Sequence, residues 1–147
     1  MIYSDIFMKR VFNKNDFTVV RAQKGAGLGL ITRRPFKKGD FVIEYTGPII
    51  TTEQANEKGG KYLFDINSKW TIDGVSRSNL ARYINHSCKP NCEADVSGKK
   101  VFIYALRKIK EGEELNYDYG EEYFDEYIKP HKCKCVDCLL GKKKRPK

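Results

Sequence analysis

Residues 82–92 read Arg-Tyr-Ile-Asn-His-Ser-Cys-Lys-Pro-Asn-Cys, and no other stretch of this 147-residue chain restricts its folding as much. Pro90 cannot continue a helix and pushes Lys89 towards extended backbone, so the segment has to turn. Leu80, Ala81, Tyr83 and Ile84 can make one or two helical turns ahead of it. Asn85 and His86 then fall where carbonyls lose their helical partners and are left to bind a ligand. A lone histidine in a loop more often only satisfies its neighbours, so the stretch has to be weighed with its surroundings.

At this length the chain is one domain, large enough to bury a core without disulfides. It is 40% hydrophobic with nine Tyr and eight Phe, the composition of a folded protein. No apolar run approaches the roughly 18 residues of a membrane span, and residues 1–10 lack the apolar core of a signal peptide. A soluble intracellular protein without membrane contact is expected. Five cysteines, three of them crowded at 133–138, then read as metal ligands and not as a disulfide framework.

The net charge of +9 is unevenly placed. Residues 132–147 hold seven basic side chains against Asp137, whereas residues 111–126 hold eight acidic ones and no basic one. A basic tail suits nucleic acid, and an acidic stretch suits a cationic peptide. Both are also what ordinary solvated faces look like.

Short β-rich runs dominate the rest. Residues 17–22, 28–33 and 41–45 are expected strands, parted by the glycine loop at 23–27 and the Lys38-Gly39-Asp40 turn. Thr51 lies three residues before Gln54, a capping-box pattern that opens a short helix, and Gly59-Gly60 closes it. Residues 62–66 and 70–73 are strands joined at Asn67-Ser68, and 93–96 pairs with 100–106 across Ser97-Gly98. The turn at 110–113, followed by a Tyr-rich strand, echoes the turn and strand at 38–45. Many short strands with two short helices give a mainly β, β-rich α+β fold and not a parallel βαβ sheet.

Taken in order, Gly27-Leu28-Gly29-Leu30, the strand ending Glu44-Tyr45-Thr46-Gly47, Tyr62-Leu63-Phe64, the Asn-His-Ser-Cys stretch, Glu114-Leu115-Asn116-Tyr117-Asp118-Tyr119 and Cys133-Lys134-Cys135 resemble the SET-domain protein lysine methyltransferases. The resemblance covers about residues 17–140. It implies an N-terminal arm over 1–16, a SET domain over 17–128, and a post-SET zinc segment with a basic tail over 129–147. The implied fold is several small sheets with the C-terminal segment threaded beneath the Asn-His-Ser-Cys loop as a pseudoknot, a topology that pattern alone does not reach.

S-adenosylmethionine is the methyl donor that the resemblance implies. Its site needs close backbone, a hydroxyl or cation for a carboxylate, and a flat or apolar surface for adenine. Ala26, Gly27, Leu28 and Gly29 match the backbone contacts, Tyr62 the hydroxyl, Asn85 and His86 amide and backbone groups, and Lys134 a reach to the adenine. Arg82 either joins the site or is a structural partner of Asp73 or Glu44. For zinc, Cys133, Cys135 and Cys138 provide three thiolates, and the family takes the fourth from the loop, here Cys88. The family usually has four residues between the second and third tail cysteines, and this chain has only Val136 and Asp137. Cys92 reads as a small buried residue, and His131 is an alternative ligand.

The transfer itself is an in-line displacement, so lysine must be deprotonated and held in line in an apolar channel. Tyr45, Tyr117 and Tyr119, with Ile84 nearby, are the catalytic candidates: Tyr119 matches the family's active-site tyrosine, and Tyr117 the position that carries Tyr or Phe. Asp118 points the other way along the strand. With the charge pattern, the resemblance gives as expectations a lysine in a basic protein, a histone tail foremost, and a location in the nucleus or at chromatin, with the cytoplasm as the alternative; the basic tail by its charge is the expected nucleic-acid contact. Only about ten residues lie between Thr51 and Tyr62, where many relatives have a longer insert, so an open peptide groove is expected. The rival readings are a zinc-bearing basic module that binds nucleic acid without catalysis, and a degenerate relative acting as a scaffold.

Overall fold

The computed structural model describes residues 11–22 and 27–120. Four small sheets carry the described part. Strands β1 (Phe17–Arg21) and β2 (Leu28–Thr32) pair antiparallel, with Phe17 opposite Thr32. The loop between them is closed where the Ala22 N–H donates to the Gly27 carbonyl at 2.7 Å. Strand β3 (Phe41–Tyr45) lies on one side of β9 (Lys100–Ala105) and β8 (Cys92–Ser97) on the other. Strands β4 (Ile49–Thr51) and β5 (Leu63–Asp65) flank β6 (Trp70–Asp73). The fourth sheet is two residues wide: β7 (Asn85–His86) runs parallel to β10 (Asn116–Tyr117), His86 opposite Tyr117.

Local chemistry explains most of these elements. Helix α1 (Thr52–Lys58) begins on the expected capping box, Thr51 Oγ1 taking the Gln54 N–H while Gln54 returns its side chain to the Thr51 N–H, both at 3.0 Å. Seven residues are too few for an isolated helix in water, so packing of buried Ala55 must help hold it. In the turn between β5 and β6, Asn67 Oδ1 accepts the N–H groups of both Lys69 and Trp70. Residues Leu80–Tyr83 form a 3-10 turn in place of regular helical turns, and Lys14–Asp16 form another.

The core collects inward side chains from strands and from the segments between them: Leu30, Ile43, Ile84, Val101, Ile103, Ile109 and Leu115 are fully buried. Each such side chain contributes about 1.5–3 kcal/mol of transfer free energy. On the other face of β9, Phe102 and Tyr104 meet Phe41 edge-on, with ring centroids 6.2 Å apart in both pairs. Leu115 N–H bonds to the Leu30 carbonyl at 2.8 Å, which attaches the segment after residue 112 to β2 and leads it to β10. Residues 115–119 thus run beside the Asn-His-Ser-Cys loop, the pairing on which the expected pseudoknot depends. The several small sheets agree with the mainly β fold that the sequence and the resemblance lead one to expect. The expected segments at 1–10, 23–26 and 121–147 lie outside the described residues.

Candidate active site

The β7–β10 pair brings the two most distinctive motifs of the sequence into contact. Parallel pairing sets Tyr117 beside His86, and the Ser87 N–H continues the ladder to the Tyr117 carbonyl at 3.1 Å. Asn91, 1% exposed, secures the pair: its N–H donates to Asn116 Oδ1 at 2.8 Å, its Oδ1 accepts the Asn116 N–H at 2.9 Å, and its Nδ2 donates to the Glu114 carbonyl. Removing Asn91 strands several buried polar groups, at about 1–3 kcal/mol each.

The three catalytic candidates are joined by one more ring. Tyr45 lies 5.3 Å from Phe64, Phe64 6.4 Å from Tyr117, and Tyr117 5.0 Å from Tyr119, centroid to centroid. Tyr45 can reach this row because Gly74, lacking a Cβ, leaves room for its ring and for the Asn79 amide. Buried Asn79 fixes the corner by accepting from the Thr46 N–H and donating to the Gly74 carbonyl, both at 3.0 Å. The Tyr119 hydroxyl donates to the Ile84 carbonyl, so a phenol and a backbone oxygen meet where the aromatic row reaches β7. A cleft of about 330 Å³ opens against Tyr117 and Tyr119, with Phe64, Ala94 and Leu106 in its wall and Glu93 and Asp118 also lining it.

His86 is a structural connector as well as a candidate contact. Its Nδ1 accepts the Tyr119 N–H at 3.1 Å, which leaves the ring proton on Nε2, aimed at Cys88 Sγ 3.4 Å away. Asp118 Oδ1, 3.8 Å from Nδ1, takes the Gly120 N–H at 2.9 Å. Cys92 is fully buried, and desolvation pushes its thiol up to about 12, as fits a packing residue.

The cofactor candidates fall into two groups. Asn85 Nδ2 donates to the Leu28 carbonyl at 3.0 Å and to Glu114 Oε2 at 2.9 Å, linking the glycine motif to the loop. Both bonds use Nδ2 and the backbone of Asn85 lies in the β7–β10 pair, so Oδ1 is the polar atom of this side chain left over. A Cβ at Gly29 would come within 2.7 Å of that same Glu114 oxygen, so a side chain there would push the carboxylate away from Asn85. Tyr62 and Arg82 form the second group, the guanidinium carbon 4.0 Å above the Tyr62 ring centroid and 5.1 Å from that of Tyr83. Arg82 bonds the Val75 carbonyl at 2.8 Å, while Asp73, one of its suggested partners, is taken by Lys58 at 2.5 Å. Arg82 Nε is buried with no partner among the described residues, an unmet donor next to Tyr62 that fits an acceptor brought by a ligand. Ala26 and Lys134 lie outside the described residues, as do Cys133, Cys135 and Cys138. Among the described residues no three potential metal ligands cluster.

Glu114, Phe64, Asn79 and Asn91 were not among the sequence candidates. Glu114 stood within a quoted motif but looked like one acid among eight. Its neighbour Glu113 is also engaged: burial alone would raise its pKa, but hydrogen bonds from Arg107 and the Lys110 N–H outweigh that and hold it low. The acidic stretch is therefore partly internal wiring, not one solvated face.

Comparison with known proteins agrees with this geometry. Residues 27–120 match the family described as SET domain. The chain is 39% identical over 138 residues to histone-lysine N-methyltransferase 2D of Homo sapiens, an overlap of 85% of this chain and 2% of that protein. It is 36% identical over 127 residues to histone-lysine N-methyltransferase Su(var)3-9 of Drosophila pseudoobscura pseudoobscura, covering 72% and 20%. With histone-lysine N-methyltransferase SUV39H2 of Xenopus tropicalis it shares 34% over 119 residues, covering 69% and 29%. The chain thus spans less than a third of the length of these relatives, and by its matched domain it belongs to the SET-domain family.

Proposed function

We propose that this domain is a protein lysine N-methyltransferase that moves a methyl group from S-adenosylmethionine to a lysine in a basic protein tail, a histone tail foremost, and works at chromatin in the nucleus. The observation that carries the reading is the Tyr119 hydroxyl on the Ile84 carbonyl, at the end of an aromatic row and beside Asn85 and His86. The relatives are named as histone-lysine N-methyltransferases, which supports the substrate class.

The donor supplies an electrophilic sulfonium methyl: the neutral amine's lone pair forms the new N–C bond as the C–S bond breaks, giving methyl-lysine and the thioether. The chain has three tasks. Tyr45, Phe64, Tyr117 and Tyr119 surround the amine with low-polarity surface, which favours its neutral form, and the proton leaves to water. The Ile84 carbonyl and Tyr119 hydroxyl orient the nitrogen and the transferring methyl. Arg82 Nε and Tyr62 receive a carboxylate, while the Leu28–Asn85–Glu114 link, with Gly27 and Gly29, keeps the backbone rim in place. Ala26 and Lys134 complete this site in the proposal.

Zinc is proposed on Cys88, Cys133, Cys135 and Cys138 in the post-SET segment. Cys88 suits the role: it is half-buried, and the His86 Nε2–H directed at its sulfur would support a thiolate ligand. Nucleic-acid contact through the basic tail belongs to the same reading.

Incubation with labelled S-adenosylmethionine and bulk histones tests the proposal. Label in lysine side chains is expected. Folded, zinc-loaded protein that binds the donor yet labels neither histones nor other basic proteins would make this a binding module.

A further inference from the structure

Two turns of the chain are built alike and lie side by side. In each, a lysine opens the turn, glycine with positive φ stands two residues on, and a carboxylate three residues on accepts the lysine's own N–H: Lys37, Gly39 and Asp40 in one, Lys110, Gly112 and Glu113 in the other. The residues just before them, Phe36 and Ile109, exchange two N–H···O bonds of 2.9 Å as an antiparallel bridge, and both side chains are buried. Because both point inward, the exposed Lys37, Lys108 and Lys110 lie on the solvent side of the paired segments, and the register sets Lys37 across from Lys108.

The acids of these turns accept backbone N–H groups, and Glu113 also pairs with Arg107, so among the described residues neither forms a direct ion pair with a lysine ammonium of the turns. Among the described residues, the exposed Arg33, Lys37, Lys38, Lys108 and Lys110 form no ion pair, against the exposed Glu111 and the partly exposed Asp40 and Glu113. Like charges in cross-strand register oppose folding, and a turn of this kind needs its glycine and carboxylate but not ammonium groups. The positive charge is therefore surplus to the fold. None of the exposed large hydrophobic residues lies at 33–40 or 105–113, so the surface lacks the apolar anchors of a protein interface. Phosphates, in contrast, need cationic and hydrogen-bonding groups and no apolar anchor.

We propose that this twin-turn surface binds the phosphate backbone of duplex DNA, separately from the basic tail and whether or not the domain transfers methyl groups. The full chain is titrated into a short labelled duplex of arbitrary sequence, between about 50 and 200 mM salt. Lys37→Glu with Lys108→Glu should weaken binding at least about tenfold more than the charge-matched control Lys69→Glu with Lys100→Glu, and flatten the salt slope by about two. Thermal unfolding monitors the fold, and the milder Lys37→Gln with Lys108→Gln, expected to lose about half as much on a logarithmic scale, serves if the reversal is unstable. Equal weakening in both pairs assigns the binding to net charge and the tail, and overturns the proposal. So does a polyglutamate peptide that displaces the duplex as well as unlabelled duplex does, which would make the partner an acidic protein.

Discussion

The side-chain amide of Asn85 donates to the carboxylate of Glu114, Nδ2 to Oε2 at 2.9 Å, across 29 positions of sequence. The same nitrogen reaches the Leu28 carbonyl, so one carboxylate sets where the glycine motif and the Asn-His-Ser-Cys loop stand relative to each other. Glu114→Ala should raise the KM for S-adenosylmethionine about tenfold, the worth of a hydrogen bond to a charged group, and change kcat little. Glu114→Gln, which keeps an acceptor, should recover most of the loss. A fall in kcat at unchanged KM in both variants would place Glu114 outside the donor site.

Tyr119→Phe tests the other end of the site. It removes the hydroxyl on the Ile84 carbonyl but leaves the ring packed 5.0 Å from Tyr117 and 5.4 Å from His86. On the proposed role of the hydroxyl, chiefly in the transition state, donor binding measured by calorimetry should stay nearly intact while methyl transfer falls by about two orders of magnitude or more. Parallel losses of binding and rate would make Tyr119 a packing residue.

What the sequence disclosed and what it concealed differ in range. The helix cap at Thr51 and Gln54 and the hairpin of 92–105 are local, with turn and pattern chemistry contained in a few residues. The resemblance supplied the rest of the expected site. Neither route reached Glu114, because its partner lies far along the chain and β7 and β10 are two residues each, too short for any periodic signal. Asn79 and Asn91 were hidden for a similar reason: a buried asparagine is recognised by its partners, and those lie on other elements.

Metal analysis should find about one zinc per chain. In the proposed zinc site Cys88 would tie the Asn-His-Ser-Cys loop to the tail, so chelation should abolish methyl transfer before it melts the sheets built around Ile103 and Leu30. Active protein free of zinc would remove the site from the account.

Cys92 makes stability depend on pH. Burial pushes its thiol up to about 12, whereas an unfolded chain holds it near 8.5. A folded pKa above the unfolded one gives stability that is complete below about 8.5 and declines as pH rises towards the folded value, by about 1.4 kcal/mol per unit. Cys92→Ala removes this dependence. The stability gap between the two proteins in denaturant titrations should therefore narrow by about 2 kcal/mol between pH 8 and 10, and a constant gap would mean that the thiol is not desolvated.

On the proposed function, Tyr117 is expected to govern how many methyl groups are added. It is buried between Phe64 and Tyr119, with its backbone held beside His86. For each further transfer the methylated nitrogen must turn its lone pair back to the sulfonium, so the methyl already present needs a vacant place in the channel. A tyrosine hydroxyl at this position can anchor a water or the amine in that place, and phenylalanine leaves it open. The unmutated enzyme is accordingly expected to stop mainly at monomethyl-lysine, with some dimethyl product, and Tyr117→Phe to proceed further. If the residue only packs in its strand, the substitution lowers the rate and leaves the product unchanged. Mass spectrometry of a peptide carried to completion by both forms separates the two outcomes, and ready trimethylation by the unmutated enzyme would rule out any limit set by Tyr117.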